Sequence, residues 1–227
     1  IFIRTLSDLS HPDFPTRVHA ASVAGRIRHP LSIQALAAQL FRDESAKVRR
    51  ACVMALTALG MEEGFPAAEQ ALQDTDASVR LAAVMAVYRL GGLGGAAALA
   101  RMLRDSNAEV RRMAVSCIGW LGREDMVEQV ALLLNDSSVP VCLSAIEAIS
   151  NLRGYEALPA LIECLGDPDE SVRRKTFAVL QEITGKTMRE RYPEDDGERE
   201  ILMGRWRHWW KEEAGRRVCI SDGTQPQ

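Results

Sequence analysis

The strongest constraint on the fold of this 227-residue chain is a repeat, because an aspartate recurs every 31 residues over most of its length. Five residues after each aspartate stands a valine, and the next residue is an arginine in four of the five copies. The aspartates are Asp43, Asp74, Asp105, Asp136 and Asp167, and the arginines are Arg49, Arg80, Arg111 and Arg173. We align an earlier copy, offset by one residue, at residues 13–19. Such a period is typical of solenoids, in which each repeat packs on its neighbours.

Within each copy the apolar residues follow a helical period. After Val79, for example, they occur at Ala83, Val84, Val87 and Leu90, which places them on one stripe of a helix. Glycines then end the first helices with a left-handed cap, and we assign this role to Gly60, Gly91 and Gly122. A second helix with its own apolar columns follows each glycine. The unit is therefore a helix–turn–helix that cannot bury its apolar face alone, and the sequence predicts an all-α, right-handed α-solenoid.

An aspartate followed six residues later by the arginine of a valine–arginine pair resembles the HEAT repeat, an armadillo-like unit. The form here is similar to the short repeats of bacterial HEAT-like and phycobilisome-lyase-like proteins, and it covers residues 13–184. The end of the chain is similar to the Trp-x-x-Trp-Trp helix of many bacterial HEAT-repeat proteins. The tryptophans concerned are Trp206, Trp209 and Trp210. We expect residues 185–217 to form a linker and a capping helix, and residues 218–227 to form a tail.

Residues 1–12 carry apolar residues at helical spacing, so we expect them to be the end of a helix from a preceding repeat of a longer protein. The repeated aspartates and arginines are interpreted as structural, because catalytic groups rarely occur in five equivalent copies. We expect each aspartate to cap the helix that follows it. Each arginine should bridge to the aspartate of an adjacent repeat, giving a ladder along the stack.

Two departures from the repeat leave alternatives open. In the fifth copy Cys142 replaces the arginine and Pro140 enters the first helical turn, which reflects either neutral change or a contact surface for a partner. In the third copy, four glycines within residues 91–95 form either a roomy turn or a hinge between two halves of the arc.

Composition excludes several classes of function. The net charge of −3 gives no reason to expect nucleic acid as a partner, and no apolar run is long enough to encode a membrane span. The five scattered cysteines have no zinc-site spacing, and no two histidines are paired at helical spacing, so we expect no metal, no cofactor and no enzymatic activity. Free cysteines favour a reducing compartment, and we expect a bacterial, cytoplasmic protein.

We therefore interpret the chain as a non-enzymatic scaffold that binds another protein through a concave surface. We assign that surface to the second helices, which carry more acidic than basic residues and should attract a basic or amphipathic segment. The candidate contacts are Glu63, Glu69, Asp125, Glu128, Tyr155, Glu156 and Glu163, with Tyr155 as the aromatic anchor. The alternatives are a bilin lyase-like or chaperone-like subunit of an enzyme complex, suggested only by the resemblance, and a structural spacer within a larger protein.

Overall fold

The computed structural model describes residues 2–221 of the chain, with side chains as far as residue 214. Within these residues the backbone forms thirteen α-helices, joined by loops and 3₁₀ turns, and no strand. The helices are α1 (Phe2–Asp8), α2 (Phe14–Ala24), α3 (Pro30–Arg42), α4 (Ala46–Leu59), α5 (Phe65–Ala71), α6 (Ala77–Gly91), α7 (Ala96–Met102), α8 (Ala108–Leu121), α9 (Val127–Ala131), α10 (Val139–Asn151), α11 (Leu158–Glu163), α12 (Glu170–Thr184) and α13 (Asp196–Ser221). The chain divides into two compact units, with unit 1 ending at Arg123 and unit 2 beginning at Glu124.

In the second to fifth repeats one long helix is followed by one shorter segment, whereas α2 and α3 of the first repeat have 11 and 13 residues. The predicted all-α repeat architecture is confirmed. We call α2, α4, α6, α8, α10 and α12 the long helices. The predicted apolar stripe is their buried face: Val79, Ala83, Val84 and Val87 of α6 are all fully buried. From the second repeat onward each shorter segment begins with a 3₁₀ turn, such as Glu62–Gly64, so it is less regular than the single second helix that the sequence predicted.

Three of the long helices end as the left-handed cap requires, because Gly60, Gly122 and Gly185 all have a positive φ. The assignment of a left-handed cap to Gly91 was wrong: Gly91 is still helical, and Gly92, with a φ of 48°, makes the turn. Gly91 has a different reason to be glycine. A Cβ atom there would overlap with Cε2 of Phe65, so a larger residue would displace that ring.

The glycine-rich segment at residues 91–95 is tightly packed at both ends. A Cβ atom on Gly95 would lie 2.9 Å from the Cγ1 atom and from the carbonyl oxygen of Val87. The boundary between the two units also falls elsewhere, between residues 123 and 124. Close packing therefore accounts for Gly91 and Gly95, and the positive φ accounts for Gly92.

The first repeat has a different register from the one aligned in the sequence. Arg17, rather than His19, occupies the ladder position, because its Nη1 atom donates to the carbonyl oxygens of His11 and Pro12, six and five residues earlier. Arg49 makes the same two bonds to the carbonyls six and five residues before it. Asp13 is then the N-cap of α2, since its side chain accepts a hydrogen bond from the amide of Thr16.

The described chain contains one apolar helical segment of membrane-spanning length, Ala77–Met102. Within the most apolar 18-residue stretch of this segment, 44% is buried. This segment is not one straight helix. It comprises α6, the turn that begins at Gly92 and α7, and the two helices pack against each other. The core of a stacked helical repeat accounts for such a segment, which makes it weak support for a membrane span.

Candidate functional site

The arginines and aspartates of unit 1 form a ladder between successive repeats. The Nε and Nη2 atoms of Arg49 donate to the two carboxylate oxygens of Asp74, both at 2.7 Å. The same two-point contact joins Arg17 to Asp43 and Arg80 to Asp105. Each guanidinium also donates through Nη1 to two backbone carbonyls of its own repeat. One side chain therefore fixes a loop and the register between two repeats.

The aspartates of the ladder do not cap the helices that follow them, and this part of the sequence prediction was wrong. Each one accepts a hydrogen bond from the backbone amide two residues later; for Asp74 the donor is the amide of Asp76, at 2.8 Å. The N-cap residue is that later residue, such as Asp76 before α6 or Asn107 before α8. The ladder aspartates thus shape the turn before the cap, which is the local bond that aspartate side chains favour.

Charge pairing dominates the electrostatics of this ladder. Burial opposes ionisation of the carboxylates of Asp43, Asp74 and Asp105, but hydrogen bonds from arginine and from backbone amides outweigh burial and lower the pKa of all three. Both partners of the Arg49–Asp74 pair are largely buried, with side-chain exposures of 14% and 10%. Groups that are matched in this way hold repeats together and leave no functional group available for chemistry.

The ladder changes in unit 2. Cys142 occupies the arginine position, and its Sγ atom lies 3.1 Å from the carbonyl oxygen of Asp136, the acceptor that an arginine would use. Among the described residues, Asp167 has the amide of Asp169 as its side-chain partner and no arginine. Arg173 donates to the carbonyls of Asp167 and Pro168, while its buried Nε atom has no hydrogen-bond acceptor in the described part of the chain.

Several of the predicted contact residues already have partners within the chain. Arg101 donates to Glu69 at 2.9 Å, and Arg207 of α13 holds both carboxylate oxygens of Glu163. The hydroxyl of Tyr155 donates to the carbonyl oxygen of Ile183 at 2.9 Å, which ties the side chain to α12. These three side chains are thus engaged in holding repeats or the terminal helix in place.

The other predicted acidic residues lie on the surface of the short segments. Glu63, Glu128 and Glu156 are exposed, and Asp125 lies in the turn before α9 and has a partner of its own. Glu63 belongs to unit 1 and the other three to unit 2. Their role in binding a partner stays a prediction.

The terminal helix packs on the last repeat. Trp206 is completely buried, while Trp209 and Trp210 are partly buried, and the Trp206 and Trp209 rings meet edge to face at 5.6 Å. Helix α13 packs mainly against α11 and the turn that follows it, and it continues to Ser221, four residues beyond the predicted end of the capping helix. The remainder of the predicted tail, residues 222–227, lies outside the described residues.

The long helices of unit 1 form one continuous layer. Helices α2, α4, α6 and α8 pack directly on one another in chain order, whereas α5 and α7 pack mainly on the long helices beside them. The concave role that the sequence analysis gave to the second helices stays a prediction.

The long helices of unit 1 carry an open apolar groove that the sequence analysis missed. It has a volume of about 340 Å³, and its floor includes Met54 of α4, Leu81 and Met85 of α6, and Met113 of α8. A second depression of about 900 Å³ continues from it between α2 and α4 and shares Met54. We call these two depressions together the long-helix groove. Met54 is 53% exposed, and it lies outside the apolar stripe, at the position that Met85 takes in α6.

Basic side chains flank this groove. Arg50 of α4 and Arg89 of α6 both line it, both are exposed, and neither has an ion pair within the described part of the chain. Lys47 lines the α2–α4 depression, where its Nζ atom lies 5.6 Å from the centre of the Phe14 ring. The site is therefore an apolar floor between cations, suited to binding and without paired groups for acid–base chemistry.

The described residues contain no group of three or more histidine, cysteine, aspartate or glutamate side chains placed to hold a metal ion. The four cysteines with described side chains, Cys52, Cys117, Cys142 and Cys164, are free and buried. Burial raises the pKa of Cys52, Cys117 and Cys164 to about 12, so their thiols stay protonated and unreactive near neutral pH.

Residues 3–87, 33–108 and 95–181 each match the family model for HEAT repeats. The chain belongs to the HEAT-repeat family. The matches together span most of the chain and both compact units. No curated protein sequence matches this HEAT-repeat protein.

Solved structures of repeat proteins resemble it in fold. A designed armadillo repeat protein, in complex with the peptide (KR)4, is 22% identical over 79% of this chain and 98% of its own, with a TM-score of 0.58. The complex of CpcE and CpcF of phycocyanin lyase from Nostoc sp. PCC7120 matches at 23% identity over 79% and 76% of the two chains, with a TM-score of 0.57. The Escherichia coli protein YibA matches at 18% identity over 80% and 70%, with a TM-score of 0.66.

Proposed function

We propose that this HEAT-repeat protein is a non-enzymatic scaffold that binds a segment of another protein in the long-helix groove. The observation that carries the proposal is the groove itself, an apolar floor that Met54, Met85 and Met113 leave accessible on otherwise well-packed helices. Accessible methionines suit a binding surface because their flexible, polarisable side chains adapt to an apolar ligand. A cytoplasmic location is part of the proposal, and the free, buried cysteines support a reducing compartment.

The structural neighbours support a binding role without specifying the partner. One of them is complexed with a peptide and another is one half of a CpcE–CpcF complex. At these levels of identity the likeness concerns the fold, so a lyase-subunit role stays an alternative that no residue of this chain specifically favours.

Photo-crosslinking from single positions tests the proposal. A photoreactive phenylalanine analogue at Met54 samples the groove, and the same analogue at Glu63 samples the exposed acidic surface of the short segments. Both positions lie in unit 1, so the second is a matched control. We expect discrete adducts from position 54 and few from position 63 in extract of the native cell.

The other outcomes discriminate between the alternatives. Adducts from position 63 alone would transfer the binding surface to the second helices, as the sequence analysis expected. Adducts from neither position would favour the spacer role and contradict the proposal.

A further inference from the structure

The charge around the long-helix groove is opposite in sign to the acidic surface expected from the sequence. Lys47, Arg50 and Arg89 line the groove, and Asp76 is the acidic residue that lines it with them. The carboxylate of Asp76 is already engaged, because it caps α6 by accepting hydrogen bonds from the amide and hydroxyl of Ser78. With three cations and one carboxylate, the lining of the groove carries a net positive charge.

Acidic side chains near the neighbouring long helices form no ion pair with these cations in the part of the chain that the structure describes. Glu109 of α8 pairs with Arg112 on its own helix at 2.8 Å, and Asp13, the N-cap of α2, accepts from the amide and the hydroxyl of Thr16. Arg50 and Arg89 thus remain exposed, with no ion pair within the described residues. Two uncompensated guanidiniums beside an apolar floor form a complementary surface for carboxylates that flank an apolar stripe.

We infer that the long-helix groove takes an acidic, apolar protein segment, one that presents carboxylates to Arg50 and Arg89 and an apolar stripe to Met54 and Met85. The inference deepens the proposed function and rests on it. It also reverses the basic partner expected from the sequence, because Glu69 and Glu163 are paired with arginines of this chain.

A nucleic acid is the competing ligand, since phosphates would be attracted to the same cations. The floor between those cations consists of methionine and leucine side chains, which complement an apolar stripe and have no counterpart in a phosphate backbone. The observations therefore favour the peptide, and an oligonucleotide enters the test as a separate ligand.

Fluorescence anisotropy with the full chain tests the inference on defined probes. The labelled probes are a synthetic peptide with leucine and glutamate at amphipathic helical spacing, matched peptides with lysine or glutamine in place of glutamate, and a single-stranded DNA oligonucleotide. The variant R50E/R89E reverses the groove charges. The control R28E/R104E makes the same change in net charge at two exposed arginines outside the groove lining.

We expect the glutamate peptide to bind wild type and R28E/R104E equally and to bind R50E/R89E about tenfold more weakly. The lysine peptide should show the opposite preference, and M54Q/M85Q, which removes apolar surface without changing the charge, should abolish binding of the glutamate peptide. Thermal unfolding of each variant, read by circular dichroism, checks that the fold is kept.

Two results separate this inference from the proposed function. If the glutamine peptide binds as tightly as the glutamate peptide, and M54Q/M85Q abolishes both, the groove is a binding site and its acidic preference is refuted. If the glutamate peptide binds no better than the lysine peptide or the oligonucleotide, the acidic inference is overturned. If photo-crosslinking gives adducts from neither position 54 nor position 63, the scaffold proposal itself is contradicted.

Discussion

The two compact units hold their repeats together in different ways. In unit 1, arginines from three successive long helices clamp the aspartate of the next repeat, as Arg49 clamps Asp74. In unit 2, Cys142 stands at the equivalent position, and α13 covers the last repeat with the buried ring of Trp206. The long helices α10 and α12 nevertheless pack on each other through a fully buried core that includes Ile146 and Leu180. Apolar burial therefore carries the stacking, and the ladder adds a fixed register where it occurs.

The largest expected effect is in unit 2, at the terminal helix. Replacing Trp206 with alanine removes a completely buried indole, and we expect a loss of about 4 kcal/mol in the free energy of unfolding of unit 2. Chemical denaturation, monitored by hydrogen exchange of the amides in α11 and α13, measures this loss of stability. The partly buried Trp209 is the control, and Trp209→Ala should cost clearly less. Equal losses for the two variants would show that Trp206 does not anchor the helix.

The second-largest expected effect is a loss of stability on replacing an aspartate of unit 1, compared with the equivalent aspartate of unit 2. Asp74→Asn leaves the guanidinium of Arg49 without its charge partner in a largely buried place, so we expect a loss of about 3 kcal/mol. Asp167→Asn is the matched control in unit 2, where the described residues supply no arginine, and we expect a loss of about 1 kcal/mol or less. If urea denaturation shows equal losses in the free energy of unfolding for the two variants, the Arg49–Asp74 ion pair adds no stability beyond that of the turn that both aspartates form.

Acidification should reproduce the effect of Asp74→Asn in the wild-type protein. The pKa of Asp74 is lowered in the folded state, so its stabilisation is complete above the ordinary aspartate pKa of about 4. It is lost as the pH falls through the lowered value, because the folded state must then bind a proton it resists. The stability gap between wild type and Asp74→Asn should therefore narrow below about pH 4. A gap that stays constant down to the lowest pH at which both fold would contradict the assigned pKa direction.

The regular part of the fold was predictable from the sequence because it depends on spacing alone. The 31-residue period and the apolar stripe after Val79 identified helix pairs and their buried faces, and a repeat makes each observation several times over. Short-range geometry was less predictable. The turn is made by Gly92, and Gly91 is required to be small by the Phe65 ring, which approaches from a different helix. The register of the first repeat likewise became clear only from the bonds of Arg17 to its own loop.

The candidate site was harder to predict because it depends on which layer is accessible. Met54 and Met85 occupy equivalent positions outside the apolar stripe, so the helical period separates them from the core. The period does not show that these side chains from neighbouring helices line one groove. Glu69 and Glu163 look available in the sequence, yet Arg101 and Arg207 reach them across 32 and 44 residues. Charge counts therefore indicated an acidic surface on one set of helices while the uncompensated cations lay on the other.

The smallest expected effect comes from a substitution that would remove the contrast between the two units. Cys142→Arg restores the missing arginine, whose Nη1 atom could donate to the carbonyl of Asp136 while Nε and Nη2 reach Asp167, as Arg49 does in unit 1. We expect a gain of about 1 kcal/mol in the stability of unit 2, because charge-assisted hydrogen bonds form but a guanidinium is partly desolvated. Cys142→Ala, which has no polar group, is the control and should not stabilise. If Cys142→Arg is no more stable than Cys142→Ala, the backbone around residues 136–142 has adapted to the cysteine. Unit 2 would then differ from unit 1 in its turn geometry as well as in one side chain.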